Sequence, residues 1–415
     1  MAVLSTNWPT PNAYCAAVQN PRNCFTDAGF HGGRIVCDHL GLPKVSSGNF
    51  AVVFELELPA ESYAVKCFTR QIRDQQQRYA AITRFLAGRP YPSLVAFRYV
   101  PQGIRLGGAL FPLLTMAWVE GELLHQYVER RLGEPALLRD LAEQWRGVVG
   151  GLRTLGVAHG DLQHRNILVT DGLVRLVDYD GMFVPALRGK APDERGNDHF
   201  QHPNRTKQDY DERVDQFAAL VIYLSLRALA ADPQLWAQFH TGENLVLSRG
   251  DFVTPGATPV WQRLTASSDQ EVRRLAEVLG HACAGPVAAT PDLETALHQA
   301  RPAVAMAAGD WQKLAQALGL GAAAPRRTTS PMTQADWAKI AAGEDGREAR
   351  TTAPVDAVRC PEGHAIQRGS FLRYCPECLV LGKRTALYGW CTAPCGHVIP
   401  GRSRFCPECR AQTGW

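Results

Sequence analysis

The sequence predicts an α+β protein in which sheet precedes helix. Runs mixing β-branched and aromatic residues crowd into residues 51–119, and apolar residues recur at helical spacing beyond Gly121. A cysteine-rich repeat at 360–409 adds small metal-dependent modules to that class.

Residues 1–45 are rich in Pro, Asn and Gly with weak periodicity, and read as an irregular extension. AVVFELEL (51–58) and SYAVKCF (62–68) have strand composition, a helical stretch follows at about 73–87, and VAFRYV (95–100) and ALFPLLTMAWV (109–119) are again strand-like. ALLRDLAEQWRGVVGGLRTLG (136–156) predicts a long amphipathic helix. RNILVTDGLVRLVDYDG (165–181) predicts two short strands around a turn at Asp171-Gly172. DERVDQFAALVIYLSLRALA (211–230) predicts a strongly apolar helix, with weaker helical patterns at 268–283, 292–300 and 310–318. Residues 321–358 read as a linker holding one short helix, capped by Thr333 and ended by Gly343.

An apolar fraction of 46 % with 20 % charged residues excludes a largely disordered chain. The net charge of +4 is too small over 415 residues to argue for nucleic acid or a membrane surface. Residues 1–21 lack a basic segment and a continuous apolar core, so no signal peptide is expected. The uncharged run Leu106–Val119 falls short of the ~18 residues of a membrane span. The scattered Cys15, Cys24, Cys37, Cys67 and Cys283 are expected as free thiols in a reducing cytoplasm.

Four motifs occur in order: SSGNFAVV (46–53), AVK (64–66), HGDLQHRNILV (159–169) and VDYDG (177–181). Together they resemble the glycine loop, strand lysine, H-R-D-L-x-x-x-N loop and D-F-G of the protein kinase fold, over roughly residues 35–300. The resemblance implies a bilobal fold, with an N-lobe at 46–121 and a C-lobe at 122–320, acting as an ATP- and Mg²⁺-dependent phosphotransferase. By that resemblance Gly48 lets backbone amides approach phosphate and Lys66 reaches the α- and β-phosphates. Val53 and Ala64 sandwich the adenine, Leu168 forms its floor, and Met116 and Val119 of MAWVEG (116–121) stand as gatekeeper and hinge. Asp161 accepts or orients the substrate hydroxyl proton, while Asn166 and Asp178 hold Mg²⁺. One carboxylate, one carboxamide and the nucleotide phosphates suit an ion that prefers hard oxygens and keeps waters. Asp215 of VDQFAAL (214–220) would brace the loop around Asp161.

The departures from the pattern carry consequences. Ser46 and Ala51 replace two of the three loop glycines, and Gly160 replaces the Arg of H-R-D. Residues 181–205 contain no Ser, Thr or Tyr, so phosphorylation of that segment is not the expected switch. Gln163 stands where Ser/Thr kinases have Lys, which makes Arg165 the candidate for positive charge at the transferring phosphoryl group. No Glu occurs between Glu61 and Glu120, so the expected helix offers Lys66 no carboxylate and Gln77 is the best-placed substitute. HGD loops also occur in small-molecule kinases. A small-molecule hydroxyl kinase and a nucleotide-binding pseudokinase scaffold therefore stand as alternatives.

The tail repeats C-x3-(H/C)-x10-C-x2-C with a shift of 31 residues. Cys360, His364, Cys375 and Cys378 form one candidate zinc set, and Cys391, Cys395, Cys406 and Cys409 the other. Four protein ligands each leave no open position, so two structural Zn²⁺ are expected, and the metal supplies the stability that 359–415 lacks as a core. The tail carries eight Lys and Arg against three Glu, but metal-bound thiolates cancel much of that charge, which favours a protein partner over nucleic acid. DYDGMFVP…FQHP (178–203) together with this tail is similar to a bacterial family of kinase-like proteins with C-terminal zinc ribbons, associated with stress-response operons. That resemblance implies a cytoplasmic protein Ser/Thr kinase in stress signalling. Its partners would be a protein substrate, a von Willebrand A-domain protein and a metal-dependent phosphatase, with no membrane partner.

Overall fold

Val52, Phe54 and Leu56 alternate with less buried residues in AVVFELE, so one face of this segment seeks an apolar partner. The computed structural model describes residues 8–48, 50–192, 195–300, 358–359 and 365–366. The chain divides into two units, Met1–Pro302 and Ala303–Trp415.

The first unit opens with helices α1 (Pro11–Val18) and α2 (Pro21–Cys24). Strands β1 (Arg34–Ile35), β2 (Val45–Ser47), β3 (Ala51–Glu57) and β4 (Ser62–Phe68) follow, then helix α3 (Gln75–Leu86), β5 (Phe97–Leu106) and β6 (Ala109–Ala117). The six strands make one antiparallel sheet in the order β1-β3-β4-β6-β5, with β2 also paired to β3. β5 runs past Val100 through Pro101, with its register shifting between Val100 and Ile104, as a missing proline N–H requires.

Residues 8–45 are not the irregular extension expected from composition. Tyr14, Val18, Phe25, Phe30 and Ile35 are buried against Phe54, Leu56, Val65 and Cys67 of the sheet. The Tyr14 hydroxyl donates to the Phe68 carbonyl at 2.7 Å. Helices of eight and four residues are too short to display a 3.6-residue repeat. Their Pro and Asn residues act as helix starts rather than loop markers: Pro opens each helix, and the Thr10 and Asn20 side chains accept from Ala13 and Asn23 N–H.

Beyond β6 come β7 (Glu122–Leu123), α4 (Leu124–Arg130), α5 (Pro135–Leu155), β8 (Ile167–Thr170) and β9 (Leu173–Leu176). β7, β8 and β9 form an antiparallel three-stranded sheet. Asp171 (φ 48°) and Gly172 (φ 72°) make the β8–β9 turn with the paired positive φ that a two-residue hairpin favours. Helices α6 (Gln216–Ala231), α7 (Gln234–Phe239), α8 (Arg249–Val253), α9 (Pro259–Thr265), α10 (Gln270–Ala284) and α11 (Leu293–Ala300) complete the unit. α6 is buried on nearly every side, and Trp145 of α5 donates its indole N–H to the Ala219 carbonyl at 3.0 Å.

In the second unit β10 (Val358–Arg359) and β11 (Ala365–Ile366) pair antiparallel. In sequence they flank Cys360 and His364. Both candidate zinc sets, the helical pattern at 310–318 and the linker helix lie outside the described residues. Cys24, Cys67 and Cys283 are buried free thiols, with Cys15 and Cys37 half-buried and free. Among the described residues no helix is long and apolar enough to cross a membrane.

Candidate active site

Lys66 sits in the middle of β4, paired with Val53 on one side and Leu114 on the other. The two-residue period of the strand turns it to the face opposite Val65 and Cys67. Its ammonium bonds Asp178 Oδ1 and Asp180 Oδ2, both at 2.7 Å. Burial favours the neutral amine, but the two carboxylates outweigh it and hold the Lys66 pKa above its usual value.

Asp178 follows β9 and takes φ 67°, a left-handed conformation costing a non-glycine residue about 1 kcal/mol or more. Tyr179 is fully buried, accepting the Val95 N–H at 2.6 Å and donating to the Leu176 carbonyl at 2.7 Å. It fills the expected phenylalanine position and adds a hydroxyl clamp.

The loop at 159–166 is built on Asp215, which accepts from the His159 N–H and, at 2.8 Å, from the Gly160 N–H. Burial raises the Asp215 pKa against the pull of His159, the two amides and Arg205. Gly160 has φ 82°, and a Cβ there would lie 1.9 Å from the Gly181 carbonyl oxygen. Backbone packing therefore disfavours any side chain at this position.

Asp161 is half-buried and accepts from Gln163 Nε2 at 2.9 Å and from Asn166 Nδ2 at 3.0 Å. Asn166 Nδ2 also donates to the Asp161 carbonyl at 2.9 Å, which leaves its Oδ1 for a cation. The Asn166 carbonyl accepts the Val177 N–H at 3.0 Å, which sets it beside the Asp178 segment. Among the described residues no group of three or more His, Cys, Asp or Glu could hold a metal by itself. Asp178, whose side chain is 42 % exposed, and Asn166 Oδ1 instead fit an ion brought in on phosphate oxygens.

The expected base-binding residues are set by strand register. Ala64 pairs with Met116, Val53 and Leu168 are half-buried, and Ala64, Met116 and Val119 belong to one apolar cluster. Among the described residues Val119 and Glu120 make no backbone hydrogen bond, so their amides and carbonyls are available to a heterocycle edge.

Three expectations differ from the structure. The Gly48 N–H is committed to the Ala51 carbonyl at 3.0 Å, because β2 and β3 close as a tight hairpin there. Arg165 is turned to Glu243 at 2.9 Å and the Gly242 carbonyl at 3.1 Å, and Gln163 is the neighbour that touches Asp161. Gln77 lies on the exposed face of α3, whose buried face carries Gln75, Arg78, Tyr79 and Ile82, so it is no partner for Lys66.

Sequence reasoning missed several site residues. Tyr79 donates to Asp180 Oδ1. The Asn197 N–H donates to Asp161 Oδ1 at 2.8 Å, over a Gly196 whose added Cβ would lie 2.5 Å from that oxygen. Buried Arg205 donates to the Gly160 carbonyl at 3.2 Å and to Gln201. Arg205 thus brings a guanidinium to the 159–161 backbone from 45 residues away, and no local sequence signal marked it. No protein-family model matches the chain, and no curated protein matches it.

Proposed function

We propose that the first unit, Met1–Pro302, forms a bilobal protein kinase-like fold that transfers the γ-phosphoryl group of ATP to a protein Ser or Thr hydroxyl in a bacterial stress-signalling module. The observation that carries this reading is that Lys66 bonds Asp178 at 2.7 Å across 112 residues, while Asn166, which donates to Asp161 at 3.0 Å, accepts at 3.0 Å the N–H of Val177, the residue before Asp178. Lys66 binds the α- and β-phosphates with its ammonium. Asp178 and Asn166 Oδ1 hold Mg²⁺, which when bound neutralises charge on the transferring group. Asp161, held by Gln163, Asn166 and Asn197, takes the proton of the acceptor hydroxyl. Two zinc ribbons at 359–415 dock the protein partner, a von Willebrand A-domain protein or a phosphatase among them.

The test is γ-phosphate transfer from Mg-ATP by the full chain to polypeptide and small hydroxyl acceptors, beside Asp161→Ala. Transfer to polypeptide that falls about 100-fold or more in the variant is expected. Equal signal from both proteins overturns the catalytic reading. Transfer confined to small hydroxyl compounds overturns the protein substrate. Mg-ATP binding without transfer leaves a scaffold.

A further inference from the structure

Helix α3, QQQRYAAITRFL, carries no carboxylate, yet Lys66 is doubly paired. We propose that Asp180 is the positioning residue of Lys66, and that through Tyr79 it couples α3 to the site in place of an acidic residue on that helix. The inference rests on the phosphotransferase reading above.

The two oxygens of Asp180 are divided between two elements. Oδ2 takes Lys66 Nζ of β4 at 2.7 Å, and Oδ1 takes the Tyr79 hydroxyl of α3. Tyr79 is 2 % exposed, and burial together with Asp180 and Asp178 keeps its hydroxyl protonated as a donor. The next residue back, Arg78, donates to Tyr210 Oη at 2.6 Å, and that hydroxyl donates to the Met182 carbonyl at 2.5 Å. Adjacent residues of α3 therefore grip 180 directly and 182 through one intermediary. The position of the helix is tied to the segment that carries Asp178.

The division of labour between the carboxylates follows from their second partners. Both are half-buried, at 42 % and 33 % side-chain exposure, but among the described residues Asp178 has no partner beyond Lys66 and a long 3.5 Å contact with the Asp180 N–H, whereas Asp180 is anchored on its far side by Tyr79. An ammonium has three protons. With Asp178 engaged by Mg²⁺, Asp180 keeps one of them and fixes the direction of the other two toward phosphate. Without Asp180, Lys66 would have only a carboxylate that the metal claims.

The experiment measures kcat, KM for Mg-ATP and Mg-ADP affinity for wild type, Asp180→Asn, Asp180→Gly, Tyr79→Phe and the double variant Asp180→Gly/Tyr79→Glu. Hydrogen exchange of the peptide covering 75–86 is followed in each. Asp180→Asn and Tyr79→Phe are expected to lower kcat about tenfold or more while Mg-ADP affinity moves less than about threefold, a split that unfolding would not give. The double variant, which moves the carboxylate onto α3, is expected to recover about tenfold over Asp180→Gly. A kcat within about twofold of wild type in Asp180→Asn, or no recovery in the double variant, overturns the proposal. A wild type that transfers no phosphoryl group instead defeats the functional reading. The α3 tether is still tested then: exchange about tenfold faster in Asp180→Asn and Tyr79→Phe supports it, and unchanged exchange overturns it.

Discussion

Replacing Gly160 by alanine isolates a constraint that sets the loop around Asp161. Gly160 has φ 82°, and its added Cβ would stand 1.9 Å from the Gly181 oxygen and 2.6 Å from the Gly181 carbonyl carbon. Two costs follow. The left-handed backbone costs an L-residue about 1–2 kcal/mol. Relieving the clash to about 3.5 Å requires a movement of about 1.6 Å between the 159–161 and 180–182 segments. Asp215 on one side and Arg205 on the other resist that movement. Overpacking of this kind costs about 1–3 kcal/mol, so Gly160→Ala should destabilise the fold by about 2–5 kcal/mol. Gly156 supplies the reference. It ends α5 with φ 70° and has nothing within 4 Å of an added Cβ, so Gly156→Ala should show the backbone cost alone. Denaturant unfolding followed through buried Trp145 and Trp261 measures both variants. A Gly160→Ala cost no larger than that of Gly156→Ala would refute the steric reasoning.

Three further outcomes are expected. Tyr179→Phe removes the acceptor of the buried Val95 N–H and should cost about 1–3 kcal/mol by the same unfolding assay; a loss below about 0.5 kcal/mol would contradict the clamp. Burial, reinforced by His125, lowers the His164 pKa to about 3, so the native state leaves this ring neutral where the unfolded chain protonates it near 6.5. The unfolded state then binds more protons, and stability should fall as pH drops from about 6.5 toward 3, by about 2 kcal/mol at pH 5. His164→Gln should flatten that slope when unfolding midpoints at pH 7 and pH 5 are compared, and an unaltered slope assigns the acid sensitivity elsewhere. The purified chain should carry about two Zn²⁺, with one lost in Cys375→Ser and one in Cys406→Ser, measured by elemental mass spectrometry; a metal-free tail would sink the ribbon assignment.

Strands β3 and β4, helix α5, the primed turn at Asp171-Gly172 and the apolar α6 were legible from local pattern. Periodicity and turn chemistry act within a few residues, so they survive in a single sequence. The same locality hid α1 and α2, which are too short to repeat and are held by a sheet formed later in the chain. At the site, motif order alone named Lys66, Asp161, Asn166 and Asp178 as candidates.

By itself, then, the sequence determined the α+β class, the order of its longer elements beyond residue 50 and the residue types available for chemistry. Tertiary structure decided which of them meet. Lys66 lacks a carboxylate on α3 and finds one 114 residues away in Asp180, and Tyr79 closes the link across 101 residues. Gly160 is required by the approach of Gly181, and Arg205 reaches back 45 residues to its carbonyl. Such pairings depend on the register of β3 with β4 and on the depth at which α3 packs, which no local propensity encodes. Charge and packing over long separations chose the partners that the motifs left open.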